Sequence, residues 1–164
     1  MPSWSEAFAV QANSDLDTFQ LLEKSGLPIC HRLHYLQMWL EKLSKTFLWV
    51  PESGADDLRF KHNVVGRVLP SLISRHRRRL GLVALSDLAS IREICRQIDL
   101  LHPQVDDNGR RPENSEYPWA DSSGHIRIPA QWKFALADRL YTSPGRILRK
   151  AAILLTRNTS EFLC

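Results

Sequence analysis

The sequence predicts a mainly all-α domain, and three observations carry that prediction. Residues 31–50, HRLHYLQMWLEKLSKTFLWV, repeat apolar side chains at Leu33, Leu36, Leu40, Leu43 and Phe47. Steps of three and four of this kind place side chains on one face of a helix. The same period returns within 59–78, within 86–102 and from Ser143 onward. From Gln104 to about Ala130 it is lost among prolines, glycines, Asn and Asp, which predicts an irregular wrap over the helices, closed by a final helix.

Taken in chain order, Ser14 is a suitable N-cap for a first helix. Asp15 and Asp17 favour its first turn, and Leu16, Phe19 and Leu22 form its apolar face. Trp4, Phe8 and Val10 suggest a shorter preceding helix or an arm packed on the core. Gly26 is the expected stop, and Pro28 opens a second helix running to Trp49. That helix carries a polar stripe, His34, Gln37, Glu41 and Lys45, beside its apolar one. Glu41 and Lys45 have the favourable order for an i,i+4 ion pair, and the plain reading of the stripe is a solvated helix face.

PESGADD, residues 51–57, reads as a loop. A third helix is expected over 59–78, with Val64, Val65, Val68, Leu69, Leu72 and Ile73 inward and Pro70 kinking or splitting it. Ser86 and Asp87 start a fourth helix, whose Leu88, Ile91, Cys95, Ile98 and Leu101 share a face and which ends before Pro103. EYPWADSSGHIRIP forms a hairpin about Ser122–Gly124, with Ile126 and Ile128 to one side, while Tyr117, Trp119 and Trp132 give the wrap something to bury. The last helix begins at Ser143 with Pro144 in its first turn. The organisation is a single domain over 1–164: a helical core over 14–102, a loop-rich extension over 103–142 and a C-terminal helix over 143–158.

The 164 residues suffice for a real core. No apolar run approaches the roughly 20 residues of a membrane-spanning helix, and no secretory signal is read at the N-terminus. Cys30, Cys95 and Cys164 lack metal-ligand spacing and read as reduced residues of a cytosolic protein, with no metal and no cofactor expected.

The net charge of +4 is unevenly spread. Residues 59–79 hold 7 basic and no acidic side chains, and 146–164 hold 4 against 1, whereas 1–58 hold 4 against 8. Arg75, His76, Arg77, Arg78 and Arg79, with Arg146, Arg149 and Lys150, are therefore candidates for a phosphate- or RNA-binding groove. Cationic side chains at a helix end also complement its dipole, which explains the first block without a ligand.

Phosphate loops, serine elbows, HExxH and paired-cysteine motifs are absent from the sequence. One pair suits metal-independent RNA cleavage, Arg96 and His102 in ICRQIDLLH. A histidine can move the 2′-hydroxyl proton and an arginine can stabilise charge on the phosphate. Six helical steps put the two on different faces of a straight helix, although Pro103 favours a non-helical conformation at His102. Glu93 and Asp99, each three residues from Arg96, compete for it as ion-pair partners.

HYLQMWLEKLSKTFLW, with Gln37, Glu41, Lys42 and Lys45 among Leu36, Leu40, Leu43 and Phe47, resembles the signature helix of HEPN domains, the higher eukaryote and prokaryote nucleotide-binding family. KHNVVGRVLPSL (61–72) resembles that family's His-led third helix, and the likeness extends over roughly 15–102. It implies a four- to five-helix bundle that often dimerises, of the small stand-alone bacterial type, found in toxin–antitoxin pairs, phage defence and RNA processing. It further implies a metal-independent endoribonuclease with Arg96 and His102 as the Arg–His pair. Gln97 departs from the pattern, in which Asn, Asp or His usually follows the arginine. The alternative is a catalytically inactive helical module that binds a partner protein, such as an antitoxin or a nucleotidyltransferase. A plain RNA or nucleotide binder is a third reading.

Overall fold

The first helix, α1, spans Trp4–Glu23, with its N-cap at Ser3, eleven residues before the predicted Ser14 cap. The reason is local. Ser3 and Glu6 form a capping box, the Glu6 N–H donating to Ser3 Oγ (3.2 Å) and the Ser3 N–H to Glu6 Oε2 (2.7 Å). No Gly or Pro interrupts the chain until Gly26. The expected arm and helix are thus one element, and the acids that resembled a first turn hold other helices instead. Asp15 takes Lys42 Nζ at 2.6 Å, and Asp17 pairs with Arg157.

The computed structural model describes residues 3–48, 58, 60–82, 87–105 and 113–163. The predicted 51–57 loop, the Trp49 helix end, the Ser86 cap, Cys164 and part of the 103–142 extension lie outside them. Helix α2 spans Ile29–Thr46 with Pro28 as its N-cap, α3 spans Val65–Arg75, and α4 spans Leu88–Asp99 after Asp87. Pro70 does not split α3. The bond it cannot donate is the one to the Gly66 carbonyl, in the first turn. After Arg75, hydrogen-bonded turns carry the chain to Gly81, whose φ of +67° lets the Leu82 N–H close on the Arg77 carbonyl.

The wrap holds a hairpin, β1 (Trp119–Ala120) against β2 (Ile126–Arg127), in the register Trp119↔Arg127. Gly124, at φ +80°, turns it, and Asp121 Oδ1 accepts the Ser123 and His125 N–H groups. Trp119 meets Trp132 edge-on above buried Phe134, whereas Tyr117, Ile126 and Ile128 stay exposed. Three short elements had no sequence signal: a 3₁₀ turn at Pro129–Gln131, α5 (Ala135–Arg139) and α7 (Thr159–Phe162).

Helix α6, Ser143–Arg157, begins at the predicted position under a Thr142 cap. It touches each of α1, α2, α3 and α4. Among the described residues the architecture is therefore an α-helical bundle in which α1 packs on α2, α3 on α4, and α6 joins both pairs. Trp39, Phe19, Leu16, Leu33, Leu36, Ile91, Leu148 and Leu155 are fully buried at its centre, each such side chain worth about 1.5–3 kcal/mol. Trp39 Nε1–H donates to Thr156 Oγ1 at 2.8 Å, so its polar edge is satisfied inside the core. Cys30 and Cys95 are buried free thiols, and none of the described helices is long and apolar enough to cross a membrane.

Candidate functional site

The polar stripe of α2 is not a solvated face. Gln37, Glu41 and Lys45 are exposed by only 1%, 5% and 3%. A carboxylate survives such burial only when its oxygens are occupied, and those of Glu41 are. Lys45 Nζ donates to Oε1 at 2.6 Å, and Gln37 Nε2 and His62 Nδ1 lie 2.6 and 3.1 Å from Oε2. The Phe8 ring of α1 sits 5.7 Å from the ammonium. Helical spacing put the stripe together, and Phe8 of α1 and His62 from the segment before α3 lie against it.

His62 in turn stacks on His102, the ring centroids 3.7 Å apart and the planes within 7°. His102 reaches this position because α4 ends at Asp99, three residues before it, and the chain continues in a turn in which the His102 N–H bonds the Asp99 carbonyl. The face mismatch of a straight helix therefore does not apply. The Gln104 N–H donates to His102 Nδ1 at 3.2 Å, leaving Nε2 as the other ring nitrogen. His34, reached from the first turns of α2, lies with Nδ1 3.5 Å from Glu116 Oε1. His34, His62 and His102, which look scattered in sequence, form one cluster with Glu41 and Glu116. Burial lowers the pKa of His102, His62 lowers it further, and Glu116 and Glu41 act in the opposite direction. His34, beside Glu116, holds that carboxyl below its usual range.

Arg96 is 70% exposed on α4, with a loose contact to Glu93 at 3.7 Å and no ion pair to Asp99. An exposed pair of this length adds little stability, so the guanidinium is free to turn to another anion. With Asn63, Gly66, Arg67, Asp99, Leu100 and Val105 it lines a cleft of about 320 Å³. Asn63 follows the histidine that stacks on His102, so Arg96 and His102 flank the same segment before α3.

Asp99 shapes this cleft. Val64 offers α3 no capping side chain, and Asp99 supplies the cap from α4, accepting the Val65 and Gly66 N–H groups at 2.9 and 2.8 Å. A Cβ on Gly66 would stand 2.9 Å from Arg96 Cγ and 3.0 Å from Asp99 Oδ2, so glycine permits this close approach. Burial pushes Asp99 up to a pKa of about 6, with Glu41 adding to the rise while the two N–H groups and Arg67 oppose it. A carboxyl whose folded pKa exceeds its unfolded one binds protons on folding. Its stabilising contribution is complete below pH 3.8 and is lost as pH rises through 6. In urea titrations, wild type should gain about 2 kcal/mol over Asp99→Asn between pH 7 and pH 4.5. Equal pH slopes for the two proteins would contradict this assignment.

The basic residues divide. Arg75, His76, Arg77, Arg78 and Arg79 line a surface hollow of about 530 Å³ beyond the C-terminal end of α3. Gly66 and Arg96 stand at its N-terminal end, about 14 Å away along the helix axis, so this block does not surround the Arg96 cleft. Arg79 donates to the Glu161 carbonyl at 2.7 Å, and His76 packs edge-on against Phe162. Burial lowers the pKa of His76, and Arg75 and Arg79 lower it further. Arg149 is a packing residue: only 20% exposed, it pairs with Glu23 at 2.6 Å and lies over the Phe19 and Tyr141 rings. Arg146 donates to the Tyr141 carbonyl, and Arg146 and Lys150 remain exposed beside it.

No group of His, Cys, Asp and Glu side chains suited to a metal ion occurs among the described residues. No family model, curated protein or solved structure matches the chain.

Proposed function

We propose that this chain is a HEPN-like protein that acts on RNA and cleaves it with Arg96 and His102. The observation that carries the reading is the support given to His102. A buried, fully satisfied Glu41 holds His62, and His62 holds the plane of the His102 ring. A side chain so fixed loses little freedom when substrate binds, the condition for efficient proton transfer and charge stabilisation.

In attack by a 2′-hydroxyl on the adjacent phosphorus, negative charge grows on the phosphoryl oxygens and the leaving 5′-oxygen needs a proton. Arg96 supplies positive charge for the first. The 2′-hydroxyl proton leaves to water and the 5′-oxygen takes one from water, while His102, whose Nδ1 accepts the Gln104 N–H, steadies the departing oxygen by a hydrogen bond from Nε2–H. The Arg75–Arg79 hollow, at the far end of α3, attracts the backbone of a longer RNA. The setting that fits is a bacterial toxin–antitoxin or phage-defence system, with a homodimer as the working form.

The test is cleavage of a mixed RNA pool in EDTA by wild type, Arg96→Ala and His102→Ala. Wild type should cut, and each folded variant should lose at least about a hundredfold in rate. A wild type that is inert, alone and with the product of a neighbouring gene, would reject the ribonuclease and leave the partner-binding module as the better reading.

A further inference from the structure

A second cleft, of about 450 Å³, opens between the start of α2 and the wrap. Its polar lining is Ser115, Glu116, His31 and His34, and its apolar walls include Tyr117, Pro118, Ile128 and Pro129. One polar atom in it, Ser115 Oγ, is buried without a hydrogen-bond partner in the protein, while His34 Nδ1 lies 3.5 Å from Glu116 Oε1. Ser115 is only 6% exposed, and a buried hydroxyl without a partner is costly to a fold unless a ligand supplies one. The segment is also held in place. Asn114 Oδ1 accepts the Glu116 and Tyr117 N–H groups, and the Ser115 N–H bonds the Leu101 carbonyl, one residue before His102.

We propose that this cleft is a base-recognition subsite that takes guanine, placing the nucleotide next to it at His102. The inference rests on the RNA reading above. Flat apolar walls beside exposed Tyr117 suit an unstacked base, the form in which RNA sequence is usually read. The polar groups then select which base. Glu116 is an acceptor with two oxygens and Ser115 is a free donor. Guanine alone among the four bases presents two adjacent N–H donors, N1–H and the 2-amino group, beside a carbonyl, O6. Adenine and cytosine offer one amino group next to an unprotonated ring nitrogen, and uracil turns carbonyls toward the carboxylate. Glu116 and His34 also belong to the cluster around His62 and His102, so the base subsite and the reacting phosphate are neighbours.

The probe is guanosine 3′-monophosphate against the adenosine, cytidine and uridine 3′-monophosphates, followed by titration calorimetry and by amide NMR of the full chain. The guanine nucleotide should bind at least about tenfold more tightly than the others and shift the signals of residues 115–118 and His34. Glu116→Gln should erase most of that preference. Ala130→Trp, at an exposed position on the cleft rim, should block binding without altering the melting temperature. Equal binding of all four nucleotides, or shifts confined to the Arg75–Arg79 hollow, would overturn the proposal. RNA cleavage without guanine preference would also overturn it while leaving the ribonuclease reading intact. Selective guanine binding by a protein that cuts no RNA would support the subsite and remove the ribonuclease.

Discussion

Lys45→Ala should lower folding stability by about 3–5 kcal/mol, the cost of leaving a buried carboxylate without its charge partner. The figure is large for a residue on what the sequence presents as a polar helix face, where a change to alanine would register only a few tenths of a kcal/mol. The difference lies in burial. Lys45 and Glu41 are almost completely enclosed, and their 2.6 Å contact has no bulk water to replace it. Gln37 and His62 would remain on Oε2, while the Oε1 side would face the Phe8 ring of α1 with no donor. Urea unfolding at pH 7 measures the loss, and the melting temperature should fall by about 10 °C. The double variant Glu41→Leu, Lys45→Met should recover much of the stability, since apolar replacement of a buried pair is often neutral. It should also free His62, and under the proposed ribonuclease reading RNA cleavage is then lost while the fold persists. A loss below about 1 kcal/mol in Lys45→Ala would mean that water reaches the pair.

Gly145→Ala should be about as damaging, for a steric reason. A Cβ there would stand 2.3 Å from the Arg139 carbonyl oxygen and 2.7 Å from the Leu140 backbone. These are main-chain atoms of the segment leading into α6, and no side-chain rotamer relieves them. Either α6 retreats from α5 or its Thr142 cap opens, and overpacking of this kind costs about 3 kcal/mol. Because α6 touches α1, α2, α3 and α4, the displacement would spread to the core. Gly26→Ala is the natural control, since nothing lies within 4 Å of its added Cβ. Thermal melts of the two variants should separate cleanly. Identical melting curves would show that the α5–α6 connection adapts without cost.

The helices were legible wherever an apolar stripe recurs at steps of three and four, because one side of each packs on the core and the other does not. Ser14 misled because a cap and a tertiary ion pair draw on the same residue types. Asp15 and Asp17 would suit a first turn, and they equally suit Lys42 and Arg157, which no local pattern connects to them. The Arg96 and His102 pair stood out by its spacing. What holds His102 did not, since His62 lies forty residues earlier and meets it only after α3 and α4 have packed. Ser115 and Glu116 fall in a stretch without period, where sequence offers no face to read. Arg149 looked like a free cation because Glu23 is 126 residues away from it in the chain.

The bonds from Trp39 and Asn13 to Thr156 span 117 and 143 residues. A ribosome must therefore build the chain nearly to Arg157 before α6 can close on the α1–α2 pair. Until then Trp39, Leu36 and Leu40 face water or a chaperone, and folding of the bundle is an event of release more than of elongation.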